Sequence, residues 1–124
     1  MNSEFDAISR LFQKRATFVH PLTQLANGDD ASVHQVPNDM ELVVSTDTAV
    51  SGVHWPEDMA LSIAGNRAVC AALSDLAAMG AKATWIWLAV MAKDTVSLQS
   101  MSNGIIQACE KYQVELAGGD TVSS

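Results

Sequence analysis

Carboxylates recur in this chain beside glycines and hydroxyls, a combination that suits hard cations and the phosphates such cations hold. The first station is Gly28-Asp29-Asp30-Ala31, two adjacent acids at the start of an apolar segment. The second is Ser45-Thr46-Asp47-Thr48; along a strand, alternation would put Ser45 and Asp47 on one face. The third is Asp75, inside Ala71-Ala72-Leu73-Ser74-Asp75-Leu76-Ala77-Ala78-Met79, where a charge must be solvated, paired or bound to a cation. The fourth is Gly118-Gly119-Asp120-Thr121, whose paired glycines let backbone approach a bulky anion closely. Taken singly, each has an ordinary reading as well. Asp after Gly shapes turns, a strand-end Ser and Asp bond their own turn, and Asp75 can lie on the one wet stripe of a helix.

Other chemistries find less support. No His and Cys cluster has zinc spacing, and the GxxxxGK[ST] phosphate loop is absent. The three histidines, His20, His34 and His54, give no argument for a nucleophile with its base. Fourteen acids against seven Lys and Arg leave a net charge of −7, which disfavours nucleic acid as a partner. A phosphorylated small molecule stays compatible with that charge when cations bridge the two anions.

The elements that must position these groups follow from periodicity. Phe5, Ile8, Leu11 and Phe12 predict a helix over 4–16, with Ser3 as its cap. Residues 31–36 and 41–50 predict a hairpin around the turn signal Pro37-Asn38-Asp39. A helix is expected from Pro56 to about Met79, ended by Gly80. A strand over 84–92 follows, then a helix capped by Asp94 or Thr95 and ending near Tyr112. The last strand begins at Val114 and breaks at Gly118-Gly119. This order predicts one α+β domain of two layers, a mixed sheet of about four strands with helices on one face. In the strand over 84–92, Trp85, Trp87 and Met91 face one way and Ile86, Leu88 and Val90 the other. Both faces are apolar, so the face away from the helices is expected to meet a partner subunit. The alternative is that its own chain covers it.

With 124 residues, 48% hydrophobic and 17% charged, the chain is long enough for one folded core. Cys70 and Cys109 read as buried, reduced thiols of a cytoplasmic protein. The N-terminus lacks the basic-then-apolar pattern of a signal peptide. The longest nearly apolar run, 68–79, is interrupted by Ser74 and Asp75, so no membrane association is expected.

The four acidic strings occur in order, with Gly52-Val53-His54-Trp55 after the second and Gly80-Ala81 extending the third. Together they resemble the thiamine-monophosphate kinases, a family of the aminoimidazole-ribonucleotide-synthetase-like superfamily. The resemblance implies transfer of the γ-phosphate of ATP to thiamine monophosphate, with Mg²⁺. It further implies a homodimer whose N-terminal domains pair into a β-barrel, the role expected for residues 1–124. Such kinases continue past the Gly-Gly-Asp-Thr string into a second domain, so these residues alone are expected to have little or no activity. By resemblance, Asp30, Ser45, Thr46, Asp47, Asp75 and Asp120 fall on metal-binding positions. His54 falls on a substrate-contacting position, Gly119 and Asp120 on the nucleotide-phosphate loop, and no residue on a catalytic acid or base. Val122 stands where a second Thr is common. The competing readings are another member of the superfamily (an aminoimidazole ribonucleotide synthetase, a selenophosphate synthetase or a hydrogenase-maturation protein) and a non-catalytic dimerisation module. The reactive early Cys of selenophosphate synthetases is missing, since no Cys precedes Cys70.

Overall fold

The computed structural model describes residues 20–25 and 31–123. The helix expected over 4–16, and the first acidic station with Asp29 and Asp30, lie outside the described residues. The elements are β1 (Thr23–Leu25), β2 (Val33–His34), α1 (Leu61–Ala78), β3 (Trp85–Ala92), α2 (Thr95–Tyr112) and β4 (Glu115–Ser123).

Strands β3 and β4 are parallel, and α2 is the crossover between them. A parallel pair cannot be closed by a tight turn, so the helix between is a geometric requirement. Ile86 and Leu88 of β3 pack against α2 residues on both of its sides. One cluster joins Val90 and Leu116 to Leu98 and Ile106, and the other joins Ile105, Ala108 and Cys109 to Val69 of α1. Helix α2 thus packs against both the parallel pair and α1, and Val69 and Leu73 of α1 share a cluster with Ile86 and Leu88 of β3.

The helix ends follow local chemistry. Past α1 the amide of Gly80 bonds the Ala77 carbonyl at 3.0 Å and that of Ala81 bonds Leu76, also at 3.0 Å. With Gly80 at φ +69°, this is a Schellman closure. At the start of α2 the Asp94 carboxylate accepts the Ser97 amide at 2.7 Å. Helix α1 begins at Leu61 and not Pro56, because residues 56–59 close a separate turn, Met59 N–H to the Pro56 carbonyl at 3.0 Å.

Three expectations need correction. Residues 31–36 and 41–50 form no hairpin; β2 pairs instead with β1, antiparallel, and 41–50 carries no strand. An alternating pattern says which face a strand would bury, not whether an edge exists to receive it. The four strands therefore make two two-stranded sheets among the described residues, not one mixed sheet. Strand β4 does not break at Gly118-Gly119 but runs through both glycines. Of the two thiols, Cys109 is buried and Cys70 only partly so. Burial, with a smaller contribution from Glu110, pushes the Cys109 thiol up to about 12. No helix among the described residues is long and apolar enough to cross a membrane.

Two tests bear on this architecture. A methyl group at Gly104 would collide with the Ser62 carbonyl of α1. Gly104→Ala is therefore expected to cost about 3 kcal/mol in chemical denaturation. The backbone bond from Ser97, then its side-chain bond, then Lys93, hold Asp94 below its ordinary value of 3.8. A depressed folded value stabilises above the unfolded one and loses that contribution as pH falls through the folded one. Asp94→Ala should accordingly lower the melting temperature at neutral pH, and the gap should close in acid.

Candidate functional site

The second and third acidic stations meet. Asp75 lies on the exposed side of α1, and the Ser45 hydroxyl donates to its Oδ2 at 3.4 Å. Asp47, two residues on, is exposed and accepts the Thr48 amide at 2.9 Å, and Thr46 is also exposed. The common strand face expected for Ser45 and Asp47 is not formed. Ser45 reaches the helix from a segment without regular secondary structure. Asp75 is thus solvated and hydrogen-bonded, which meets the cost of placing a charge in that apolar sequence.

His54 ends a tight turn. Its amide bonds the Val50 carbonyl at 2.8 Å, and its Nδ1 accepts the Val50 amide at 2.9 Å. The turn fixes the ring through one nitrogen and leaves Nε2 for an external partner.

The fourth station is positioned by a bulge. Leu116 pairs with Ile86, but Gly118 pairs with Trp87, so Ala117 is the extra residue. Cross-strand partners share a face. Before the bulge Leu116 faces the helices with Ile86; after it, Gly119 and Thr121 do, opposite Leu88 and Val90. Strict alternation from Leu116 would have sent Asp120 toward the helices. The inserted residue turns it to the open face, beside Ala89, where it is exposed. Gly119 has φ +144°, a conformation side chains rarely adopt, and a Cβ there would overlap the Leu88 carbonyl. Next to it lies a depression of about 410 Å³ lined by Ala31, Ser32, His34, Trp87 and residues 117–119.

Sequence reasoning missed a second set of side chains on this face. Glu115 is 3% exposed and accepts the His20 amide at 2.9 Å and the Thr23 hydroxyl. Trp85 donates its indole N–H to Thr23 Oγ1 at 2.7 Å, and Trp87 donates to Ser32 Oγ at 2.9 Å. The His34 ring stands edge-on to both indoles, with centroids 4.4 and 5.1 Å away. The Trp face of β3 is thus covered in part by the chain's own β1–β2 ribbon, while Trp87 and Met91 stay 51% and 67% exposed. The available signal was a lone acid inside the apolar run Val114-Glu115-Leu116-Ala117.

All the donors brought together at Ser45 and Asp75 are oxygens, the set a hard cation takes. Among the described residues no three His, Cys, Asp or Glu side chains stand close enough to hold one ion. Of the described stations, the second and third are the ones a hydrogen bond joins, Ser45 to Asp75 at 3.4 Å.

Gly119→Ala is expected to cost about 3 kcal/mol in chemical denaturation, since φ and the Leu88 backbone both oppose a side chain. Gly118→Ala meets only the Trp87 side chain, at 3.3 Å, and should cost less than about 1 kcal/mol.

Comparison with known proteins agrees with the motifs. A thiamine-monophosphate kinase of Haemophilus influenzae is 38% identical over 125 residues, covering 95% of this chain and 36% of that protein. One from Buchnera aphidicola is 39% identical, covering 98% of this chain and 38% of the relative. The chain therefore spans under two-fifths of the length of these curated relatives. The crystal structure of thiamine-monophosphate kinase from Stenotrophomonas maltophilia superposes with a TM-score of 0.81 at 32% identity, over 98% of this chain and 39% of that one. The family model of the AIR synthase related protein, N-terminal domain, matches residues 28–124. The chain belongs to the AIR synthase related protein family and carries its N-terminal domain.

Proposed function

We propose that residues 1–124 are the ATP- and metal-binding, dimer-forming N-terminal domain of a kinase that phosphorylates thiamine monophosphate to thiamine diphosphate. The observation that carries this reading is the Ser45–Asp75 contact, which joins two sequence-distant stations at one exposed point. The likeness to thiamine-monophosphate kinases supports the choice of substrate.

In this reading Ser45, Thr46, Asp47, Asp75 and Asp120 hold Mg²⁺, and Asp30 joins them on sequence grounds. Bound Mg²⁺ supplies charge neutralisation between the two anionic substrates and fixes their alignment. The attacking group is a phosphate oxygen, already ionised near neutral pH, so the chain need provide no general base. Its carboxylates position ions and move no protons. Gly119 lets backbone reach the nucleotide phosphates, Asp120 stands beside them, and His54 offers Nε2 to the phosphate of thiamine monophosphate. The second domain completes both substrate sites, so turnover requires it.

The apolar side chains left exposed at Met40, Leu42 and Val44, and at Trp87, Met91 and Val122, support a homodimer that covers them by strand pairing into a barrel. The net charge of −7 supports an enzyme without nucleic-acid partners, which this reading places in the cytoplasm and away from membranes.

Asp47→Asn and Asp75→Asn are each expected to abolish Mg²⁺-dependent binding of a non-hydrolysable ATP analogue, measured by titration calorimetry, with circular dichroism unchanged. Native affinity in either variant would refute the assignment.

A further inference from the structure

We infer that Glu115 is a positioning residue, the anchor of a one-way hydrogen-bond chain that holds the wall facing Gly118 and Gly119. The donor inventory orders the chain. The Trp85 indole can only donate, and it donates to Thr23 Oγ1. Thr23 has one proton and gives it to Glu115, whose same oxygen also accepts the His20 amide. The Thr23 oxygen then has one acceptor site left, and His34 Nδ1 lies 3.5 Å from it. Because Thr23 can only accept there, we assign the donor role to Nδ1 and the acceptor role to Nε2. Its partner at 2.7 Å is the Ser32 hydroxyl, which donates inward while accepting the Trp87 indole.

Every proton in this chain points from the open face toward the carboxyl of Glu115. The two ends differ in exposure: Glu115 is 3% exposed and Trp87 51%. The outer end, Ser32, His34 and Trp87, lines the depression together with Gly118 and Gly119. With its acceptor oxygen gone, Thr23 has no reason to keep this orientation, and the order of the links behind it is lost. The consequence for ligand binding rests on the kinase reading, in which the backbone at Gly119 meets nucleotide phosphate. Glu115 is too deeply buried to touch that nucleotide and acts through the wall.

The test compares native chain, Thr23→Val, Glu115→Ala and Glu115→Gln. The first readout is the pair of indole N–H resonances of Trp85 and Trp87, with the ¹⁵N shifts of the His34 ring. Native protein should show Nδ1–H in His34. Thr23→Val, which keeps side-chain volume, should move the Trp87 indole signal, although the hydroxyl it removes bonds Trp85, Glu115 and His34 and not Trp87 among the described residues. Glu115→Gln keeps an acceptor oxygen and should preserve the native pattern, whereas Glu115→Ala should lose it. The second readout is affinity for Mg²⁺ with a non-hydrolysable ATP analogue. Thr23→Val should weaken it about tenfold, the loss of one hydrogen bond's worth of order, and Glu115→Gln should stay within about twofold. An unmoved Trp87 signal in Thr23→Val, or an Nε2–H ring in native protein, overturns the positioning role. Native chain that binds no analogue sinks instead the reading of residues 1–124 as an ATP-binding domain, and the indole response then decides the role of Glu115 separately.

Discussion

The parallel pairing of β3 with β4 is the constraint from which the rest of the described structure follows. Two strands running the same way need a crossover, and α2 supplies it. Once α2 lies on the sheet, Ile86, Leu88 and Val90 have an apolar layer to meet, and Leu98 and Ile106 have one beneath them. Helix α1 packs against α2, approaching so closely at Gly104 that no side chain fits between the backbones, and its Val69 joins the cluster that Ile86 and Leu88 meet. The Schellman closure at Gly80 then turns the chain from α1 toward β3 through residues 81–84.

The other side of the parallel pair has a different character. Helices cover one face with hydrocarbon; the β1–β2 ribbon covers part of the other with hydroxyls, imidazoles and indoles. A carboxyl as buried as that of Glu115 is tolerated because two donors reach it. The polar cover also stops short. Beyond Trp87 the face runs on to Met91 and Val122, both exposed, where the homodimer reading places a second copy.

The sequence was most legible where a local signal decides the outcome. Gly80 and Asp94 mark helix ends through single-residue chemistry, and both act where their residue types suggested. The apolar run of β3 could be read for the same reason. Strand β1 could not, because Thr23–Leu25 is too short to carry a period. Residues 41–50 have the composition of a strand, but pairing is a property of two segments, and within the described chain they join neither two-stranded sheet. At the site, Asp75 stood out as an acid in an apolar helix. Its meeting with Ser45 depends on where a segment without regular secondary structure comes to rest, which no spacing encodes. Glu115 passed unnoticed because its partners lie 92 and 95 residues away.

The extra residue at Ala117 has an effect that reaches past its own position. It shifts by one the count that decides which side chains of β4 look toward the helices, and everything downstream inherits the shift. Identity and length are therefore under separate demands in this stretch. Replacing the buried Ala117 by a larger residue costs packing at that one point, but removing one residue between Leu116 and Gly119 would rotate Asp120 into the hydrocarbon layer and Thr121 out of it. The strand can vary in spelling far more readily than it can gain or lose a letter.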